Sequence, residues 1–364
     1  MHEPKPDPRR VPVNAASGPL SGDEVGASAP GSALQRRPAE AMPRVLRLHT
    51  HDIDQQAEML QEWEQTYVQL SPGRFEGRIV ETCFGDIQFF REITDQAIHE
   101  RGCSQPGTRT FCLPLDMEGS AYFRGTEWRH DAFATLGGGV EFDLRTGGRL
   151  DVIAVSFRVE RLAEAAHEHG LDPADVMHRL SSMSSTARLP EGRVEELRRM
   201  LLELAMLVDG QSQLLRNPGV CSSIESAIYD AFVRLMADAV DCRRPDGSYM
   251  PRRQLVSRAI DFVAAHPDDL VTVSDLCKLL HVSRRTLQQY FVDVLQVSPF
   301  QYLRAFRLNK VRSLILSGGG TLRIHEAAAA WGFWHMSQFA SDYKRLFGER
   351  PSQTSLRARW NARG

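Results

Sequence analysis

Arg284, Arg285, Gln288 and Gln289 bring hydrogen-bonding groups that match the edges of DNA bases into six consecutive positions. Arginine can meet O6 and N7 of guanine with two bonds at once, and glutamine can do the same with N6 and N7 of adenine. A second group stands about fifty residues later, at His335, Ser337, Ser341, Lys344 and Arg345, with Met336 and Ala340 between them. Hydroxyls and single cations of this kind serve phosphates at least as well as bases, so they position more than they specify. The first group is therefore expected to choose the sequence, and the second to secure and orient the grip.

Such chemistry works only if rigid elements aim it, and the surrounding residues predict those elements. Val273 to Phe291 and Ile324 to Tyr343 each read as a short apolar helix, a tight turn and a second helix opened by a small or polar residue. That is the helix-turn-helix pattern, whose second helix enters a major groove. Ser283 to Pro299 aligns without gaps onto His335 to Pro351, pairing Leu287 with Phe339, Phe291 with Tyr343, Leu295 with Phe347 and Pro299 with Pro351. The first three pairs fall at i, i+4 and i+8, one face of an α-helix, which leaves the base-reading positions free to point outward. The copies are unequal, because the second has one extra residue across its turn.

Phe300 to Leu316 joins the copies, with apolar residues at 303, 306, 308, 311, 314 and 315 and basic ones at Arg304, Arg307, Lys310 and Arg312. A helix of about 17 residues spans about 25 Å, the right order to hold two reading heads near one turn of B-DNA apart. The basic stripe is expected to be structural or phosphate-facing. Trp331 and Phe333 read as core.

Charge is divided along the chain in the same sense. The 364 residues carry a formal net charge of only -2 and are 42% hydrophobic, enough for two or three domains. Residues 251–364, however, hold 17 Lys+Arg against 8 Asp+Glu, a net of about +9, leaving about −11 for residues 1–250. Six cysteines show no metal-finger spacing, which fits free thiols. Neither a signal peptide nor an apolar run near 18 residues is evident, so a cytoplasmic, nucleoid-associated protein that does not enter membranes is expected.

Residues 1–42, rich in Pro, Gly and Ser, are expected to be a disordered tail. Ile53, Ala57, Leu60, Trp63 and Tyr67 fall at helical spacing and predict one amphipathic helix. Seven β-rich segments follow, over 78–84, 87–94, 110–115, 120–123, 132–136, 140–144 and 150–157. Turn signals separate them at Gly85-Asp86, Gly137 to Gly139 and Gly147-Gly148, the last predicting a two-residue hairpin. The expectation is an α+β chain: a cupin-like β-barrel or jelly roll over 43–158 with room for a small ligand, then a helical arm over 159–242 that packs on the barrel or on a second subunit. A linker over 243–250 leads to an all-α tandem helix-turn-helix domain over 251–364. Phe90, Phe111, Tyr122, Trp128 and Glu141 are candidates for lining a pocket, although core packing explains them as well.

Small barrels of this type also serve metalloenzymes, which need a His-x-His pair with a nearby Glu and a further His. Only His99 and His130 lie between Arg78 and Phe157, and His49-Thr-His51 precedes the barrel without partners. No catalytic or metal-binding residue is therefore assigned, and the enzyme reading is the weakest. The remaining alternative is a DNA-binding regulator with no small-molecule ligand, controlled by oligomerisation or a partner protein.

The doubled segment resembles the AraC/XylS family of transcription regulators. The resemblance lies in Leu276 to Phe291, Ser298 to Tyr302, Arg307-Leu308, Ala330 to Phe333, Ser337 to Phe339, Tyr343-Lys344, Phe347-Gly348 and Pro351-Ser352. It implies a seven-helix module in which both helix-turn-helix units bind double-stranded DNA, and an activator that contacts RNA polymerase. Trp63 to Gly77, Asp86 to Gln88, Phe90 to Glu92, Gly138-Gly139 with Glu141-Phe142, and Trp331 to His335 are similar to ethanolamine-operon regulators. That likeness implies a small-molecule effector of the ethanolamine and adenosylcobalamin type, with no permanently bound cofactor.

Overall fold

The computed structural model describes residues 43–60, 62–182, 185–188, 192–210, 213–238, 240–241, 249–266, 269–319 and 321–361. The tail over 1–42 and the linker core over 243–248 lie outside the described residues. The chain begins with β1 (Leu46–Thr50), α1 (Ile53–Ala57), β2 (Trp63–Gln69), β3 (Gly77–Phe84), β4 (Ile87–Thr94) and β5 (Ile98–Ser104). There follow β6 (Thr108–Met117), β7 (Ala121–Phe123), β8 (Thr126–Trp128), β9 (Ala132–Gly137), β10 (Phe142–Arg145) and β11 (Leu150–Arg158). Helices α2 (Val159–Glu168) and α3 (Pro173–Ser182) come next, then β12 (Thr186–Arg188), α4 (Arg193–Gly210), α5 (Pro218–Asp238) and β13 (Val240–Asp241).

The strands form two antiparallel sheets, one in the order β1-β3-β4-β11-β6-β9-β12-β13 and the other β2-β5-β10-β7-β8. Side chains alternate between the faces of a strand, so each sheet can bury two different surfaces. Ala132, Ala134, Leu136, Leu150 and Val152 of the larger sheet meet Ala121, Phe123, Trp128, Phe142 and Leu144 of the smaller one, and form the core between the sheets. The opposite face of the larger sheet packs on α2 to α5 through Phe84, Phe89, Phe111 and Phe157, with Phe232 of α5 only 4.9 Å from Phe157 between ring centroids. Phe111 therefore belongs to the helix-facing core and not to the space between the sheets. Phe90 and Trp128 do face that space, Tyr122 is half-buried, and Glu141 is exposed.

Two local expectations are corrected. The helix expected over 53–67 stops at Ala57, and Trp63–Gln69 is a strand paired with β5 from Trp63↔Ser104 to Gln69↔Ile98. Trp63 and Tyr67 satisfy a period of two as well as a period of four, and pairing with a neighbouring strand decides such a case. Gly147-Gly148 does not close a hairpin, because β10 and β11 lie in different sheets. The glycines instead let the crossing chain run close to another backbone: a Cβ on Gly147 would stand 2.8 Å from the Ser120 nitrogen. At Gly85-Asp86 the turn closes a tight hairpin, with Gly85 at φ 56 and Phe84 opposite Ile87.

The remaining helices are α6 (Tyr249–Ala265), α7 (Val273–Leu280), α8 (Arg284–Leu295), α9 (Pro299–Ser317), α10 (Ile324–Ala330), α11 (Met336–Phe347) and α12 (Pro351–Asn361). They hold two cores, and α9 is shared between them. Tyr302, Leu303 and Phe306, in its first half, join Leu276, Leu287, Phe291 and Leu295. Leu308, Val311 and Ile315, in its second half, join Ala327, Phe339, Tyr343 and Phe347. Pro299 at the first turn and a reciprocal Ser298/Gln301 cap start α9, which continues for 19 residues.

Candidate nucleic-acid interface

Each helix-turn-helix unit is set by its turn. His281 ends α7 at φ 53, and Gly332, its counterpart in the second copy, stands at φ 78. A left-handed residue is needed there to reverse the chain, and only glycine adopts it without steric cost. Ser283 then starts α8, its hydroxyl accepting the Thr286 N–H at 3.0 Å. In the second copy His335 holds the capping position of α11, but its side chain makes no capping bond. The repeat also governs how the reading helices end: Gln296 at φ 56 closes α8 and Gly348 at φ 66 closes α11, 52 residues apart. Pro299 and Pro351 then open the following helices.

All three repeat pairs at i, i+4 and i+8 are buried: Leu287, Phe291 and Leu295 in the first copy, and Phe339, Tyr343 and Phe347 in the second. The nine residues expected to meet DNA, Arg284, Arg285, Gln288, Gln289, His335, Ser337, Ser341, Lys344 and Arg345, are all exposed. Arg284 and His335 border one groove of about 590 Å³ between the two units, which Arg304, Arg307, Trp334 and Gln338 also line. Two of the nine are engaged by acids on their own helix. The Gln289 amide donates to Asp293 at 2.6 Å, and Arg345 donates to Asp342 at 2.9 Å.

Three of the four basic residues on α9 bond to other elements. Arg304 pairs with buried Asp342, which also receives the Gln338 amide. Arg307 donates to the Val271 carbonyl, and Lys310 lies 5.5 Å from the centre of the Phe306 ring. Arg312 is 3% exposed and donates to the His51 carbonyl at 2.7 Å. Arg304, Arg307 and Arg312 thus tie α9 to neighbouring elements, whereas Lys310 lies over a ring of α9 itself. Trp331 packs against both cores, and Phe333 packs on the second. Trp334 and Phe300 are exposed at 68% and 61%.

The sheet domain grips the same helices, and no signal in the sequence pointed to this. Strand β2 is the edge of its sheet, and Asn309 of α9 takes the place of a further strand there. The Gln69 N–H donates to Asn309 Oδ1 at 3.2 Å, while Asn309 Nδ2 donates to the Gln69 carbonyl at 3.1 Å. Beyond β2 the Gly73 N–H and the Gln69 amide both donate to the Leu346 carbonyl at the end of α11. On the outer face of the smaller sheet His99 meets the Tyr302 hydroxyl at 3.0 Å, Arg101 pairs with Asp261 at 2.7 Å, and Asp143 pairs with Arg253. Burial, with the charges of Arg101, Arg253 and Arg145 acting in the same sense, pushes His99 down to about 3.

The histidines considered for a metal do not converge. His49 meets Glu76 at 3.0 Å and His51 meets the Phe75 carbonyl at 2.9 Å, while His130 contacts the Leu115 carbonyl and Arg198. Cys83, Cys103, Cys112, Cys221 and Cys277 are free thiols among the described residues. No helix among those residues is long and apolar enough to cross a membrane.

Residues 276–357 match the family model described as a helix-turn-helix domain. Over 100 residues the chain is 34% identical to the "Probable thc operon regulatory protein" of Rhodococcus erythropolis, covering 27% of this chain and 30% of that protein. Over 98 residues it is 31% identical to the "XylDLEGF operon transcriptional activator 2" of Pseudomonas putida, covering 27% of this chain and 62% of that one. Among solved structures, the AraC-like transcriptional activator CuxR aligns with 72% of this chain and 94% of its own, at 17% identity and a TM-score of 0.40. The matched family model covers the segment that holds both repeats. Residues 276–357 accordingly carry a helix-turn-helix domain, and the match spans about a third of the first of these relatives.

Proposed function

We propose that the chain is a sequence-specific transcription regulator that contacts two successive major grooves with one polypeptide and activates a catabolic operon in response to a small molecule. One observation carries this reading: the apolar face of each reading helix is buried against the shared helix α9, while all nine polar side chains suited to bases and phosphates are exposed. Residues 43–158 act as the sensor, 159–242 as an arm that also serves a homodimer, and 251–364 as the reader. The two curated relatives described above are named for operon control, which supports the same class. In this reading the protein is cytoplasmic, performs no catalysis and activates by contact with RNA polymerase. The resemblance at Trp63 to Gly77 supports an effector of the ethanolamine and adenosylcobalamin type, and ethanolamine-degradation or cobalamin genes beside its own would bear that out. The central test is selection from random duplex DNA with the full chain. The expected product is a motif with two half-sites about 10 base pairs apart, and failure to enrich any motif sinks the reading.

A further inference from the structure

The groove of about 590 Å³ between the two helix-turn-helix units is lined by no carboxylate among the described residues, although the chain as a whole holds more acids than bases. Its walls carry three guanidinium groups, Arg284, Arg304 and Arg307, and the His335 ring. Helix N-termini converge on it as well. Of the lining residues, Val273 and Ser274 begin α7, Arg284 begins α8, Phe300 is the second residue of α9, and His335 precedes α11. Each such end leaves backbone N–H groups unbonded and carries about half a positive charge. The acids on those helices are all engaged: Asp275 by the N–H and hydroxyl of Thr272, Asp293 by Gln289 and Arg252, and buried Asp342 by Arg304, Gln338 and Arg345. Trp334 and Phe300 line the same groove yet stay 68% and 61% exposed, the Phe300 ring lying 5.9 Å from the Arg304 guanidinium.

We infer that this groove seats the sugar-phosphate backbone of DNA where it passes between the two major grooves, with Trp334 and Phe300 packed on its sugars. The inference rests on the two-groove reading proposed above and adds to it the residues that hold the duplex between the reading helices. A helix N-terminus presents N–H groups to an anion, and several around one acid-free groove act in the same sense. Arg304 and Arg307 are each tied through one terminal nitrogen, to Asp342 and to the Val271 carbonyl, and a guanidinium has five N–H donors, so donors remain for phosphate oxygens. Burial lowers the pKa of both, Arg345 adding to the effect at Arg304, and a phosphate beside them offsets that cost. Deoxyribose offers C–H surface between the phosphates, against which an exposed aromatic ring loses its water. Contacts of this kind fix register and add affinity without choosing bases.

The test is a binding titration of the full chain on its selected duplex, with thermal melting to check that each variant folds. Replacing the phosphates midway between the half-sites by uncharged methylphosphonates is expected to weaken binding about tenfold. It should also lower the slope of log affinity against log salt by about one for each phosphate contacted, while the same replacement at the ends of a longer duplex does neither. Trp334→Ala and Phe300→Ala should lower affinity equally on selected and random duplexes. Trp334→Glu, which sets an acid against the phosphates, should cost about tenfold more than Trp334→Ala at low salt, and the excess should fade as salt rises. Central methylphosphonates without effect, or Trp334→Glu no worse than Trp334→Ala, overturn the site and leave the regulator intact. Full DNA affinity of Trp334→Ala beside impaired transcription in vitro overturns it too, and gives the groove to a protein partner. If no motif is enriched from random DNA but Trp334→Glu still weakens binding to any duplex, the sequence-specific reading fails and the backbone site stands.

Discussion

At the residue scale, the side chains proposed to read DNA differ in how free they are. Arg285 is exposed at the start of α8, while the Gln289 amide is already held by Asp293. Arg285→Ala is therefore expected to cost about 1–3 kcal/mol on the selected site and to relax preference at one base position. An equal loss on random DNA in a binding titration would reassign Arg285 to phosphate. His99 carries a pH signature. It is 2% exposed and held neutral, with its pKa pushed down to about 3, whereas a histidine in the unfolded chain titrates near about 6.5. Below that pH the unfolded chain takes up a proton that the folded chain refuses, so stability falls as pH drops from about 6.5 towards 3. The contribution is about 2 kcal/mol by pH 5, and chemical unfolding should show a correspondingly flatter pH dependence for His99→Gln. Unchanged slopes would mean that His99 takes its proton while folded.

At the scale of elements, α8 and α11 share a frame and differ in the side chains they expose. Lys344 is exposed near the end of α11, and Arg345 beside it is tied to Asp342. If Lys344 meets a phosphate, Lys344→Ala lowers the slope of log affinity against log salt by about one, with Arg345→Ala giving a smaller change; an unchanged slope removes Lys344 from the interface. The edge of β2 is a separate matter. Asn309→Ala leaves the Gln69 N–H and carbonyl buried without partners, and such groups cost about 1–3 kcal/mol. Denaturant unfolding should show that loss, and a variant as stable as the unmodified chain would show that the seam opens freely in solution. The helices of the repeat were legible because their apolar residues recur at a helical period and their caps are local. Strand β2 was not, since Trp63 and Tyr67 suit either period and its partner lies some 35 residues later.

At the scale of the whole molecule, the described residues beyond 42 form layers: helices α2 to α5, the larger sheet, the smaller sheet, and then the helix-turn-helix domain held through α6, α9 and α11. Strand β2 bonds both to the middle of α9 and to the end of α11. The sequence by itself determined the reading frame of this protein. Local periodicity places Leu287, Phe291 and Leu295 inward and Arg285 and Gln288 outward, and local chemistry caps α8 with Ser283 and α9 with Ser298. The division of charge likewise follows from composition alone. Only the tertiary structure decided which apolar stretch became β2, which strands face each other across the core, and how Arg304, Arg307 and Arg312 are spent. It alone brought Gln69 to Asn309 and His99 to Tyr302, more than two hundred residues apart. Helix caps and helical faces are settled within a few residues of chain, whereas sheet partners and domain seams are settled by whichever distant surface completes their hydrogen bonds and burial.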